Sequence, residues 1–199
     1  MEIELESILA NFMATSVLDV DNQSIRDYCY KVKELEPEGV SKSNIMGWQS
    51  KKLDPELALN NVRHFLDTLY DAINGVHKAL GFKDTHHQIV SNIWININQK
   101  GGSNVMHSHP NCFFSGVFYV KCPPNCGRAI FIHPAREIKY TFSNDQVESF
   151  NEFNSSAHAV DPQENKMIMF PSWVDHYVEP NQSDEDRISI AFNTSMMLK

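Results

Sequence analysis

The chain has 199 residues, 42% of them hydrophobic, which is enough to bury one sizeable core and sets the expectation of a single domain over 1–199. A net charge of -8, with 17 Lys and Arg against 25 Asp and Glu, excludes a broad basic footprint for nucleic acid or an anionic membrane. No stretch reaches transmembrane length, and the acidic start Met1-Glu2-Ile3-Glu4-Leu5-Glu6 lacks a basic, apolar leader, so a cytoplasmic protein without a membrane partner is expected.

Two blocks follow. Residues 1–88 read as a helical N-terminal buttress, and 89–196 are strand-rich. From Asp21 onward, Ile25, Tyr28, Cys29, Val32 and Leu35 recur at helical spacing until Glu36-Pro37-Glu38-Gly39 stops them. Asp54-Pro55 offers an N-cap with proline at the first helical position. Leu59, Val62, Phe65, Leu66, Leu69, Ile73, Val76 and Leu80 then form one apolar stripe that ends at Gly81. His64 and His77 lie beside or opposite that stripe, where surface or packing roles suit them better than catalysis.

In the second block the period changes to two. Ile89 to Asn98 places Ile93, Ile95 and Ile97 on one face, as core, and Trp94, Asn96 and Asn98 on the other, where they could line a cavity. After the turn Lys100-Gly101-Gly102-Ser103-Asn104, strands are expected at Val105–His109, Phe113–Val120, Arg128–His133 and Ile138–Phe142. Beyond the polar stretch from Ser143 to Ser156 come Ala157–Val160, Lys166–Phe170, His176–Val178 and Arg187–Thr194. Many short strands without βαβ alternation predict a mainly β chain folded as an antiparallel barrel or jelly roll, with the N-terminal α-helices packed against it.

Four cysteines, at 29, 112, 122 and 126, are too few for a disulfide scaffold and read as reduced thiols. Cys122 and Cys126 could hold zinc as a thiolate pair, yet no second pair of suitable spacing follows. They read instead as two thiols flanking a Pro-Pro-Asn turn.

Residues i and i+2 of a strand point the same way, so His107 and His109 project to one side and Ser108 to the other. His176 is the best third donor, because Phe170-Pro171-Ser172-Trp173 before it ends one strand and supplies aromatics to wall a pocket. Three imidazoles of this kind suit a mononuclear metal centre with open positions. An H-x-H pair alone is a weak signal that an exposed strand also produces.

Further motifs accompany it. His107-Ser108-His109-Pro110, Ser115-Gly116-Val117-Phe118-Tyr119-Val120, Gly127 with Phe131, Phe170-Pro171-Ser172-Trp173 with His176, and Arg187-Ile188-Ser189 with Ala191-Phe192-Asn193 resemble the 2-oxoglutarate/Fe(II)-dependent oxygenases related to prolyl 4-hydroxylases. The resemblance spans about residues 89–195, and Gly47-Trp48-Gln49-Ser50 looks like the family's N-terminal signature. It implies a double-stranded β-helix, of jelly-roll or cupin-like class. It also implies that His107 and His176 match the first and last iron ligands of an H-x-D…H triad. Arg187 matches the residue that pairs with the distal carboxylate of 2-oxoglutarate, and Ser189 completes Arg-x-Ser. A guanidinium fork can take a carboxylate bidentately, which suits that role. Tyr119 sits where a related strand carries a co-substrate-binding tyrosine, and Asn96 is a pocket hydrogen-bonder. The cofactors implied are Fe(II), 2-oxoglutarate and O2, and the reaction implied is hydroxylation of an unactivated C–H bond with release of succinate and CO2. No catalytic residue beyond the metal ligands is assigned.

His109 departs from the family pattern, since a carboxylate is usual there. The exchange removes a negative charge from around the metal, and three-histidine sites also suit zinc and copper. Asp175 is not expected to chelate with its neighbour His176, as adjacent strand residues face opposite ways. His133 stands where relatives carry an acidic residue, and reads as a turn or pocket residue. Two other readings stay open. One is a cupin-like three-histidine metalloenzyme independent of 2-oxoglutarate, and the other is a non-catalytic β-helix binding module. The substrate is a small molecule or a peptidyl residue, with no nucleic-acid partner, and the oligomeric state is open, a homodimer included.

Overall fold

The computed structural model describes residues 11–53, 62–135 and 144–199. In chain order the elements are β1 (Ala14–Val17), α1 (Asn22–Leu35), β2 (Asn44–Ile45), β3 (Trp48–Gln49), α2 (Arg63–Ala79), β4 (His86–Asn98), β5 (Ser103–His107), β6 (Phe114–Lys121) and β7 (Ala129–Ile132). They continue with β8 (Ala157–Val160), β9 (Lys166–Pro171), β10 (His176–Val178) and β11 (Arg187–Leu198). The strand expected at Ile138–Phe142, the helix start at Asp54-Pro55 and Leu59 lie outside the described residues.

Period-two sequence produces two antiparallel sheets, the double-stranded β-helix expected. The major sheet runs β1-β9-β6-β11-β4-β3 and the minor sheet β2-β5-β10-β7-β8. The spine is the pairing of β4 with β11, in register from Arg187↔Asn98 to Leu198↔His86 with a bulge after Asn193. One face of the major sheet carries Ile93, Ile95, Ile97, Phe118, Ile188, Ile190 and Phe192, all fully buried. Against that face pack the helices, with Phe65 of α2 on Phe118 at a ring distance of 4.8 Å. Phe65, Leu66, Leu69 and Ile73 are buried on one side of α2, each worth roughly 2 kcal/mol of transfer free energy. The Asp21 carboxylate caps α1 by accepting the Ser24 N–H at 3.2 Å.

Leu35 and Leu80 depart from the stripes assigned to them. Both are exposed, Leu35 as the last residue of α1 and Leu80 as the C-cap of α2. The N-terminal block also contributes strands that its sequence did not announce. β1 borders the major sheet beside β9, β3 borders it beside β4, and β2 edges the minor sheet beside β5. Two-residue strands have no period to detect. β5 ends at His107, so His109 lies just past the strand expected to carry it.

Candidate metal centre and co-substrate cavity

The second face of the major sheet looks across to the minor sheet, and strand register arranges it in rows. Asn98 and Arg187 are opposite one another, followed by Gln49, Asn96, Ser189 and Tyr119 in the next row. Trp94, Ala191, Val117 and Ile168 form a third row, and Asn92, Asn193, Ser115 and Phe170 a fourth. All of these line one cavity of about 950 Å³, which also receives His107, His109 and His176.

The histidines arrive from two directions. His107 of β5 and His176 of β10 are register partners, which sets their rings 4.4 Å apart. His109 is held beyond the end of β5 by its own N–H, which donates to the Ser172 carbonyl at 2.9 Å. One nitrogen from each ring lies within 4.8 Å of the other two, and no other group of three or more metal-type donors occurs among the described residues.

Hydrogen bonds to the far side of two rings fix what they offer. His107 Nδ1 donates to Val105 O at 2.7 Å and His176 Nδ1 to Val174 O at 2.9 Å, which assigns the proton to Nδ1 and turns the Nε2 lone pair inward. His109 Nε2 is 3.4 Å from His176 Nε2, near enough for both to reach one ion. Burial lowers the pKa of all three, carrying His109 to about 3 with help from His176 and His107, and His176 to about 4 with help from His107. The trio is neutral at physiological pH and suited to a cation. Phe131 stacks on His176 and Phe170 meets it edge-on, a shell that keeps water from that side.

At the other end, Arg187 is almost fully buried. Its Nη1 donates to the carbonyls of Cys126 at 2.5 Å, Glu179 at 3.2 Å and Gly127 at 3.4 Å, so the guanidinium is fixed by backbone. Tyr119 is buried nearby, and burial raises its phenol pKa, keeping the O–H as a donor. Asn96 Oδ1 and Asn98 Nδ2 are buried without a protein hydrogen-bond partner among the described residues. No Asp or Glu occurs among the described residues that line the cavity, whereas Lys42, Lys51, Lys52 and Arg187 do. In a chain of net charge -8, that is a selective local reversal of sign suited to an anion.

The residues singled out in the sequence thus come together in one place. Trp173 does not, being 57% exposed and off the cavity wall, while Phe170 supplies the aromatic surface instead. His133 lies in a separate cavity of about 670 Å³ and accepts the Ala135 N–H in a turn. Ser43, Asn104 and the three lysines were not anticipated, and no local period marks them. Gln49 stood within the Gly47-Trp48-Gln49-Ser50 signature without an assigned role.

A double-stranded β-helix with converging imidazoles at one end of its cavity and a buried arginine at the other has the layout of a non-haem metal site beside a cationic pocket. Residues 92–193 match the family described as "Putative 2OG-Fe(II) oxygenase", and the chain belongs to that family. Fe(II), 2-oxoglutarate and O2 are accordingly its metal, co-substrate and oxidant. Among solved structures, a Pseudomonas putida prolyl-4-hydroxylase is 16% identical, with 92% of each chain covered and a TM-score of 0.59. A Trichoplax adhaerens prolyl hydroxylase in complex with a hypoxia inducible factor peptide fragment is 14% identical, with 92% of this chain and 83% of that one covered and a TM-score of 0.59. The epimerase SnoN, in complex with Fe3+, alpha ketoglutarate and nogalamycin RO, is 9% identical, with 95% and 82% covered and a TM-score of 0.62. At these identities the likeness concerns the fold. No curated protein matches the chain.

Proposed function

We propose that the cavity holds Fe(II) through His107, His109 and His176 and 2-oxoglutarate through Arg187, and that the protein hydroxylates an unactivated C–H bond of a small-molecule or peptidyl substrate, forming succinate and CO2. The observation that carries this reading is the joint placement of a neutral imidazole trio and a backbone-fixed arginine in one carboxylate-free cavity. When bound, the iron supplies the redox chemistry that couples decarboxylation of the 2-oxo acid by O2 to oxidation of the substrate.

The chain's residues do the rest. Arg187, unable to lose its proton, receives the distal carboxylate as a charge-assisted pair, with Tyr119 and Ser189 as hydroxyl partners. Asn96, in the same row as Ser189, adds a carboxamide that can donate or accept. Trp94, whose ring lies 5.8 Å from that of His109, forms the wall against which a substrate carbon is held near the metal. Phe131 and Phe170 exclude water from the opposite side, which favours the coupled reaction over side reactions.

Anaerobic addition of Fe(II) and 2-oxoglutarate should give a visible metal-to-ligand charge-transfer band, and air should then release succinate. Arg187→Gln should lose the band at co-substrate concentrations that saturate the wild type. An absent band together with no succinate would defeat the reading and favour chemistry independent of 2-oxoglutarate, and an unchanged band in Arg187→Gln would show that Arg187 does not hold the co-substrate.

A further inference from the structure

The loop from β6 to β7 carries two thiols that the reaction does not use. Cys122 and Cys126 are both free, stand on either side of Pro123-Pro124-Asn125, and lie near enough for each thiol to shift the other's ionisation. Left-handed backbone at Asn125 (φ 60°) and Gly127 (φ 83°) makes the turn that brings them together. The loop is fastened on several sides. Cys122 N–H donates to Glu164 Oε1 at 3.1 Å, Gln182 N–H donates to Asn125 O at 2.9 Å, and Arg187 Nη1 donates to Cys126 O at 2.5 Å. A Cβ on Gly127 would lie 2.4 Å from Glu179 O, so this backbone is seated against the approach to β11. The two cysteines are therefore held on one tight turn by a scaffold with little room to drift.

A metal does not explain the pair, since two thiols are too few donors and the histidine trio is the only larger group among the described residues. Nor is packing a sufficient account. Cys122 is partly exposed, and Cys126, buried behind it, stands beside the Arg187 charge. The neighbouring Cys122 thiol, and against the opposing effect of burial the Arg187 charge, draw the Cys126 thiol below the ordinary range, which favours the nucleophilic thiolate.

We propose that Cys122 and Cys126 form a peroxide-oxidisable dithiol, and that its disulfide state weakens 2-oxoglutarate binding by moving the Cys126 carbonyl that anchors Arg187. The Cys126 thiolate attacks hydrogen peroxide, the O–O bond breaks, and the departing hydroxide takes a proton to leave as water, giving a sulfenic acid. Cys122 sulfur then displaces that hydroxyl, and the thiol proton leaves with it as a second water. Two thiols are oxidised to one disulfide and one peroxide is reduced to two waters. An S–S bond is only about 2.05 Å long, far shorter than any non-bonded approach of two sulfurs, so closure draws the two ends of the loop together. The Cys126 carbonyl moves with them, and Arg187 loses its shortest anchor. The coupling to 2-oxoglutarate rests on the reading of Arg187 given above.

The test uses the full chain, reduced and then treated with hydrogen peroxide, alkylated under denaturing conditions and mapped by mass spectrometry. Alkylatable thiols should fall from four to two, with Cys29 and Cys112 still labelled and a Cys122–Cys126 crosslink recovered. With Mn(II) present, calorimetry should show 2-oxoglutarate binding the oxidised chain on the order of tenfold more weakly, reversed by dithiothreitol. Cys122→Ser should bind like the reduced wild type before and after peroxide. Loss of Cys29 or Cys112 instead, or sulfinic acid without a crosslink, would overturn the modification site. A crosslink with unchanged affinity, in a chain where Arg187→Gln abolishes binding, would overturn the coupling. Normal binding by Arg187→Gln would refute the reading of Arg187 and the coupling with it, while the crosslink still stands or falls by mass.

Discussion

Gly116→Ala is the sharpest test of how the major sheet is packed behind the cavity. Gly116 sits in β6 opposite Phe192 of β11, and a Cβ there would lie 2.2 Å from Phe192 Cζ and 2.7 and 2.8 Å from two further ring carbons. Carbon atoms pack at roughly 3.5–4.0 Å, so the ring must retreat by more than about 1 Å. Phe192 is fully buried, with Ile93 of β4 as its other register partner, and has no open space to enter. Overpacking of this kind costs about 3 kcal/mol at the upper end, while replacing a strand glycine returns about 0.5–1 kcal/mol. The net loss is about 2 kcal/mol, and for a chain of this length the thermal midpoint should fall by about 4–8 °C. Urea denaturation should show a lower midpoint with an unchanged slope. Adding Phe192→Leu should recover part of the loss, because the smaller side chain vacates the contested space. A wild-type midpoint for Gly116→Ala, or a penalty that Phe192→Leu does not relieve, would refute the packing argument.

Three further outcomes are expected. His109→Ala should weaken Mn(II) binding by roughly a hundredfold or more, since even an outer partner of a metal ligand is worth 10–100-fold, whereas His133→Ala should leave calorimetric affinity unchanged; equal effects would mean that the trio is not the site. Ser172→Ala removes the 2.8 Å bond to Ser115, which in turn donates to Asn193 Oδ1 at 2.7 Å, and should cost about 1 kcal/mol. The double variant with Ser115→Ala should cost less than the sum of the two singles, and strict additivity would show that the hydroxyls act independently. The Glu179 pKa is depressed by its hydrogen bond from Arg128, so its contribution is present above the unfolded value of about 4.3 and is lost as pH falls through the folded one. Glu179→Gln should therefore be less stable than wild type at pH 7 by no more than about 1 kcal/mol after screening, with the gap closing as pH falls through the folded value. A gap that persists or widens in acid would contradict the assignment.

Much of the site was legible because strand parity is a local rule. Alternation in β4 separated Ile93, Ile95 and Ile97 from Trp94, Asn96 and Asn98, and the structure puts the first set in the core and the second along the cavity. The same rule put His107 and His109 on one side, although His109 lies past the strand end and owes its place to the Ser172 carbonyl. Trp173 shows the limit of such reasoning. It adjoins buried Ser172 and Val174, yet it points out from the turn, and a turn has no parity to read.

What the sequence determined by itself was which side of each strand a residue occupies, and which motifs share that arrangement: His-x-His, the later His176, Arg-x-Ser. The tertiary structure alone decided which strands face each other. His109 and His176 are 67 positions apart and meet at 3.4 Å only because β5, β10 and the Ser172 turn are laid side by side. The carboxylate-free cavity, its lysines and the anchoring of Arg187 by the Cys126 carbonyl arise in the same way. The physical reason is that side-chain direction follows from backbone geometry within a few residues, whereas the company a side chain keeps is set by pairing between strands far apart in the chain.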